Sequence, residues 1–116
     1  MYIALAALLV LHGLAHMVGF AAPFGYMKNA PTSLTGSNAK IFGIFWLIAA
    51  IVFVVAGIGL IRREAWWTPV TLAACLLSIA LTVAFLPYAK IGLFVDVALV
   101  AFLFVNRGSG WITTPA

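Results

Sequence analysis

Two histidines near the start of the chain have the spacing of neighbours on one face of a helix. His12 and His16 are four residues apart in an apolar segment, so on a helix their side chains lie one turn above each other. Asp96 stands in a later apolar segment, between Val95 and Val97. An ionisable side chain in such surroundings needs a polar partner, because an isolated charge in a medium of low polarity is costly. These residue types predict a polar pocket that could hold a proton, a small ligand or a metal ion.

The rest of the composition indicates lipid rather than water as the main solvent. Apolar residues make up 66% of the 116 residues and charged residues only 7%, which is far from the balance in soluble domains. The formal net charge of +4 does not indicate nucleic acid as a partner. The basic residues stand singly or as one pair beside apolar segments, where they anchor a helix to a membrane surface. Cys75 is the one cysteine, which excludes an intramolecular disulfide.

Four apolar segments of membrane-spanning length follow one another along the chain. They cover residues 2–22, 41–61, 67–86 and 90–106. A helix needs roughly 20 residues to cross a hydrocarbon core of about 30 Å. We therefore predict one all-α domain over residues 1–116, an integral membrane four-helix bundle with both termini on the same side.

The polar residues within these spans are predicted to share one layer. Counted from the surface that follows the first span, His16 lies roughly 9 Å deep and His12 one turn deeper. Asp96, counted from the start of the fourth span at that same surface, is also roughly 9 to 10 Å deep. We therefore expect Asp96 to be level with His16, and the first and fourth spans to face each other. The other residues expected in this layer or at its rim are Trp46, Ser78, Thr82, Lys40 and Lys90.

Several kinds of chemistry fit such a layer. Zinc, iron and manganese accept neutral imidazole and carboxylate, so His12, His16 and Asp96 form a candidate metal set. The same side chains could instead make only a hydrogen bond that holds helices together. A haem between the two histidines is disfavoured in one chain, because ligands stacked on one helix face cannot take opposite axial positions. A proton relay or a pocket for a small lipophilic molecule needs the fewest assumptions, and its candidate residues are His12, His16, Asp96, Trp46 and Lys90.

Two short motifs carry a resemblance to a known group of proteins. Residues 11–20, LHGLAHMVGF, resemble the opening of a set of uncharacterised bacterial four-span proteins that begin with a His-Gly-x-x-His-x-x-Gly-Phe helix. Residues 88–92, YAKIG, followed by Asp96, are similar to their Ala-Lys-Phe-Gly pattern, in which the polar residue of the last span is Asn. The resemblance implies the four-span architecture and no particular activity. A looser likeness to the DoxX-like membrane proteins concerns size and span count alone.

Three functions stay open on the sequence. The first is a membrane protein without catalytic activity whose polar layer receives a small lipophilic ligand, a proton or a metal. The second is a small proton-coupled transporter that works as an oligomer, resembling the small multidrug-resistance exporters in span count, with histidine replacing their first-span acid. The third is a redox membrane subunit that uses haem or quinone. No sequence motif identifies a cofactor or a catalytic residue.

The expected surroundings of the protein follow from the spans and their flanking charges. The lipid bilayer is the main partner, with a homo-oligomer and a small lipophilic ligand as further candidates. We expect a multi-pass protein of the bacterial inner membrane. Lysine and arginine are divided three against three between the two sides. The compact pair Arg62 and Arg63 favours cytoplasmic termini under the positive-inside rule.

Overall fold

The structure, a computed structural model, describes residues 2–21, 23–24, 39–84 and 90–109 of the chain. Within these residues every regular element is an α-helix, which confirms the predicted all-α class. The helices are α1 (Tyr2–Ala15), α2 (Met17–Ala21), α3 (Ala39–Ile61), α4 (Trp67–Ala84) and α5 (Lys90–Ser109). Because α1 and α2 are separated only by His16, the described residues form four helices, the first of which is interrupted.

The helix boundaries agree closely with the four predicted segments. The third helix of the bundle, α4, starts at Trp67 as predicted, and α3 starts two residues before the predicted 41. Residues 22, 85 and 86 of the predicted spans lie outside the described residues, as do Tyr88 and Ala89 of the second motif. In the part of the chain that is described, three helices are long and apolar enough to cross a membrane. They are Tyr2–Ala21, Lys40–Ile61 and Trp67–Ala84.

The first helix is interrupted at His16 because a side chain takes a backbone acceptor. Nδ1 of His16 donates to the carbonyl oxygen of His12 at 2.7 Å, the oxygen that the His16 amide would use in a continuous α-helix. That amide donates instead to the Gly13 carbonyl, three residues back, at 3.0 Å. Competition of this kind locally tightens or bends a helix. The composition of the segment predicted one straight span, and this break was not foreseen.

The first helix packs against α3 through glycines that have no room for a side chain. A Cβ on Gly13 would lie 2.7 Å from the Phe53 Cβ and 3.0 Å from the Ala50 carbonyl oxygen. On α3 itself, a Cβ on Gly57 would lie 2.7 Å from a methyl of Val10. Small residues let helix backbones approach when lipid cannot drive them together. The two glycines thus fix how α1 lies on α3 and where the side chains of α1 point.

The C-terminal end of α3 is followed by a Schellman-type turn that lies next to the start of α1. The amide of Glu64 donates to the Gly59 carbonyl and that of Arg63 to the Leu60 carbonyl. Arg63 occupies the left-handed position with φ of 57°, where glycine is usual. Its guanidinium lies over the Tyr2 ring, 5.2 Å from the centroid, so the start of α1 and the end of α3 lie side by side.

The interior of the bundle has two parts that differ in chemistry. One part is an apolar core, whose fully buried members are Ala6, Leu9, Phe53, Ala56, Leu60, Trp67, Ala74 and Cys75, with Leu99 and Leu103 nearly so. The other part holds His12, His16, Ser78 and Asp96, which are all buried. The outer surface is apolar as well, and Ile91 and Phe94 are 75% and 79% exposed. An extensive apolar exterior is rare in monomeric soluble proteins.

Candidate functional site

A hydrogen bond between the first and last helices is the centre of the buried polar residues. Nε2 of His12 lies 2.7 Å from Oδ1 of Asp96, and the Asp96 side chain is fully buried. His12 is 8% exposed. A carboxylate oxygen only accepts, so the proton of this bond is on Nε2 of His12. The bond joins α1 to α5, the two helices that the sequence predicted to face each other.

His16 is connected to Asp96 through a serine rather than directly. Its Nε2 lies 2.6 Å from Oγ of Ser78, and Ser78 Oγ lies 2.5 Å from Oδ2 of Asp96. Depth counting along straight helices had placed His16 level with Asp96 and His12 deeper. In the structure it is His12 that lies within direct hydrogen-bond distance of Asp96. We refer to His12, His16, Ser78 and Asp96 as the polar network.

Ser78 stands between two possible acceptors of its hydroxyl proton. Nδ1 of His16 carries a proton, because it faces a carbonyl oxygen that can only accept. Nε2 of a neutral His16 is then an acceptor, and so is Oδ2 of Asp96. The single hydroxyl proton of Ser78 can be donated to one of them at a time. The serine therefore links His16 to Asp96 within one network.

Aromatic rings enclose the two histidines. The Phe53 ring centroid lies 4.8 Å from that of His12 and 5.2 Å from that of His16, and the His16 ring lies 5.1 Å from the Trp46 ring. Trp46 in turn covers Gly19, where any Cβ would collide with the indole. Trp46 was a predicted site residue, and its ring lies against His16. The Phe53 ring lies against both histidines.

A pocket of about 270 Å³ adjoins the polar network. It lies between the first helix and α5, and α3 and α4 also contribute to its wall. Its lining residues are His12, Ala15, His16, Trp46, Thr82, Ile91, Gly92 and Val95. A mainly apolar wall with a few polar groups is typical of sites for small organic molecules. We call this space the network pocket.

Lys90, the remaining predicted site residue, is not part of the network. It is exposed at the first residue of α5 and borders an open apolar surface with Phe94. Six residues of helix, roughly 9 Å, separate it from Asp96. Ile91 and Val95 line both that open surface and the network pocket. Lys90 lines only the open surface, so it lies near the network pocket but is not part of its wall.

The predicted metal set is engaged in hydrogen bonds. Among the described residues there is no group of three His, Cys, Asp or Glu side chains that could hold a metal ion. Nε2 of His12, both nitrogens of His16 and both oxygens of Asp96 have partners within the polar network or on the backbone.

Ser78 is the functional residue that the sequence analysis left outside its candidate set. It was expected near the layer, but its role as the bridge between α1 and α5 was not recognised. A signal was present in α4, where Thr71, Cys75, Ser78 and Thr82 recur at spacings of four, three and four residues. All four are buried. Such a stripe of small polar residues on an apolar helix indicates the face that meets other helices.

Comparison of the chain with family models, with curated proteins and with solved structures finds no match. The resemblance to four-span proteins with an N-terminal histidine motif is thus an expectation from the sequence alone. The candidate site rests on the geometry of this chain.

Proposed function

We propose that this protein is a four-span membrane protein that binds a small lipophilic molecule in the network pocket, with no catalytic activity of its own. The observation that carries this proposal is the pocket itself, a space of about 270 Å³ with a mainly apolar wall beside a buried, ionisable network. A purely structural hydrogen bond between helices needs no adjoining space. A ligand site needs the space, an apolar wall and a few polar atoms.

The fourth span in this proposal is α5. Its 20 residues extend about 30 Å, the thickness of a hydrocarbon core. Two of its charged residues, Lys90 and Arg107, lie near its ends, where they reach lipid headgroups. The third, Asp96, is buried and hydrogen bonded. The exposed side chains Ile91, Phe94, Val97 and Phe104 suit contact with acyl chains.

The setting proposed for the protein is the bacterial inner membrane, with the termini in the cytoplasm. Tyr2 and Arg63 lie together at one end of the bundle, and Lys40 lies over the Phe24 ring at the start of α3, 6.0 Å from its centroid. The arginine pair at residues 62–63 then faces the cytoplasm, as the positive-inside rule favours. Cysteine labelling at position 63 in intact cells and in inverted vesicles tests this orientation.

Binding is tested by titrating methyl-labelled protein in detergent micelles with naphthalene. The NMR signals of Ile91 and Val95, which line the pocket, are expected to shift and saturate. The signal of Val83, an exposed residue of α4 outside the pocket, serves as the reference for probe dissolved in the micelle. Equal, non-saturating shifts at all three residues would overturn the proposal.

A matched pair of variants identifies the site. Ala15 is exposed and lines the pocket, so Ala15→Phe is expected to fill it and abolish saturable shifts. Ala7 is an exposed residue two turns away on the same helix, outside the pocket. Ala7→Phe adds the same ring and is expected to leave binding unchanged. Equal binding by the two variants would place the ligand elsewhere.

A further inference from the structure

We propose that the network pocket selects molecules that donate a hydrogen bond, with a lipophilic phenol or quinol hydroxyl bound to Nδ1 of His12. This inference rests on the proposed function, which requires only that a lipophilic molecule enters the pocket. It adds the chemical class of that molecule. The argument depends on which polar atoms of the wall remain available and on whether each one accepts or donates.

The first available atom is Nδ1 of His12. Nε2 of this ring donates to Oδ1 of Asp96 at 2.7 Å. A neutral His12 therefore has its lone pair on Nδ1. Within the described residues Nδ1 has no hydrogen-bond partner. Nδ1 is also not one of the fully buried polar atoms without a partner among the described residues. It is therefore accessible, and the ring that carries it lines the pocket.

The second available atom is the hydroxyl oxygen of Thr82. Its proton is used within α4, where Oγ1 donates to the Ile79 carbonyl at 3.1 Å. The lone pairs of the oxygen remain, so toward a ligand Thr82 is an acceptor as well. Thr82 and His12 are both close to Gly92, since a Cβ at residue 92 would be 3.3 Å from the Thr82 methyl and 3.9 Å from Cε1 of His12. The absence of a side chain at residue 92 leaves space next to both residues.

The donor groups of the pocket wall are not available to bind an acceptor atom of a ligand. Nδ1–H of His16 is held by the His12 carbonyl, and Nε2 of His16 is held by Ser78. Nε1 of Trp46 is a buried atom and does not reach a molecule in the open part of the pocket. A ligand with only acceptor oxygens, such as a quinone or an ether, would thus meet wall atoms that also only accept, and it would form no hydrogen bond with them. A ligand hydroxyl would find a partner in His12, whose orientation is fixed by Asp96.

The selectivity is tested with three probes of nearly equal shape in the same NMR titration. 1-Naphthol has a hydroxyl donor, whereas 1-methoxynaphthalene and 1,4-naphthoquinone have only acceptors. One neutral hydrogen bond corresponds to roughly threefold to tenfold in affinity, so the apparent Kd of 1-naphthol is expected to be lower by that factor. Affinity of either acceptor-only probe equal to or greater than that of 1-naphthol would overturn the inference.

Two variants locate the acceptor. His12→Phe retains a ring but removes Nδ1, and it is expected to bring the ratio of 1-naphthol to 1-methoxynaphthalene affinity close to one. Thr82→Val, which preserves shape, is expected to lower that ratio only in part. A preference for 1-naphthol that survives His12→Phe would overturn the role of His12. If His12→Phe does not fold, the three-probe comparison in the wild type and in Thr82→Val still decides.

Failure of this inference differs visibly from failure of the proposed function. If naphthalene itself gives no saturable shifts at Ile91 and Val95, the pocket is not a ligand site and both proposals fall. If all three substituted probes bind saturably and equally, the pocket stands as a lipophilic site, and the selection of donors by His12 is rejected.

Discussion

The two interior regions of the bundle hold the same helices together by different means. The apolar core packs large side chains such as Phe53, Leu60 and Trp67 together. The polar network, which adjoins this core, joins α1, α4 and α5 through three short side-chain hydrogen bonds. Phe53 belongs to both regions, because it lies in the apolar core and contacts both histidine rings.

The two regions therefore contribute differently to the stability of the bundle and to its specificity. Apolar packing is non-directional and tolerates changes that preserve volume, whereas the network requires particular atoms at particular places. In a bilayer an interhelical hydrogen bond contributes on average only about 0.6 kcal/mol. We therefore expect the apolar core to dominate the free energy of unfolding, and the network to determine which face of α1 meets α5 and what the adjoining pocket can bind.

The largest effect on stability is expected from Trp67→Ala in the apolar core. Trp67 is 1% exposed, and removing a buried tryptophan leaves a cavity that costs about 3 kcal/mol or more. Denaturant unfolding in mild detergent, followed by circular dichroism, measures the change. Trp66→Ala is the matched control, since Trp66 is 40% exposed and its loss is expected to cost much less. Equal losses for the two variants would contradict the assignment of Trp67 to the core.

An intermediate effect is expected when Asp96 loses its oxygens. Asp96→Ala leaves Nε2–H of His12 buried without its acceptor, which costs about 2 kcal/mol, whereas the Ser78 hydroxyl can still donate to Nε2 of His16. Asp96→Asn retains one acceptor for His12 and offers an amide to Ser78, so its unfolding free energy should lie close to that of the wild type. The same unfolding titration compares the two. A large loss in the asparagine variant would show that stability depends on the negative charge.

The four-helix architecture could be predicted from the sequence because it depends on hydropathy summed over many residues. Length and hydropathy predicted four helices, and the described residues form four, the third of which begins at Trp67. The interruption at His16 was missed because it depends on one side chain, Nδ1 of His16, which displaces a backbone amide from the His12 carbonyl. Hydropathy does not register such a competition between individual donors.

The residue types of the candidate site could be predicted from the sequence, but the hydrogen bonds between these residues could be predicted only in part. His12, His16 and Asp96 were noticed because ionisable side chains are rare in apolar helices. Their pairing depends on helix rotation and on the break in the first helix, which spacing alone does not give. Ser78 was undervalued because a serine in an apolar helix is unremarkable until its stripe with Thr71, Cys75 and Thr82 is considered.

The smallest change in stability, and the sharpest test of the network, is expected from Ser78→Ala. The loss of one bridging hydroxyl should cost about 1 kcal/mol or less, because helix packing around it is unchanged. The proton connection between His16 and Asp96 should nevertheless be broken. In the wild-type background, Asp96→Asn is expected to shift the ¹⁵N signals of His16, since the asparagine amide would donate to Ser78 Oγ and leave the serine hydroxyl to donate to Nε2 of His16.

The same Asp96→Asn change in the Ser78→Ala background should lose most of that effect on His16, with only a small through-space shift remaining. Thr71→Ala provides the control, because Thr71 is a buried hydroxyl of α4 that donates to its own helix at the Trp67 carbonyl. In that background the response of His16 to Asp96→Asn should be retained. A full response of His16 without Ser78 would mean that charge acts across space, and that the serine is a packing residue rather than the bridge for the proton.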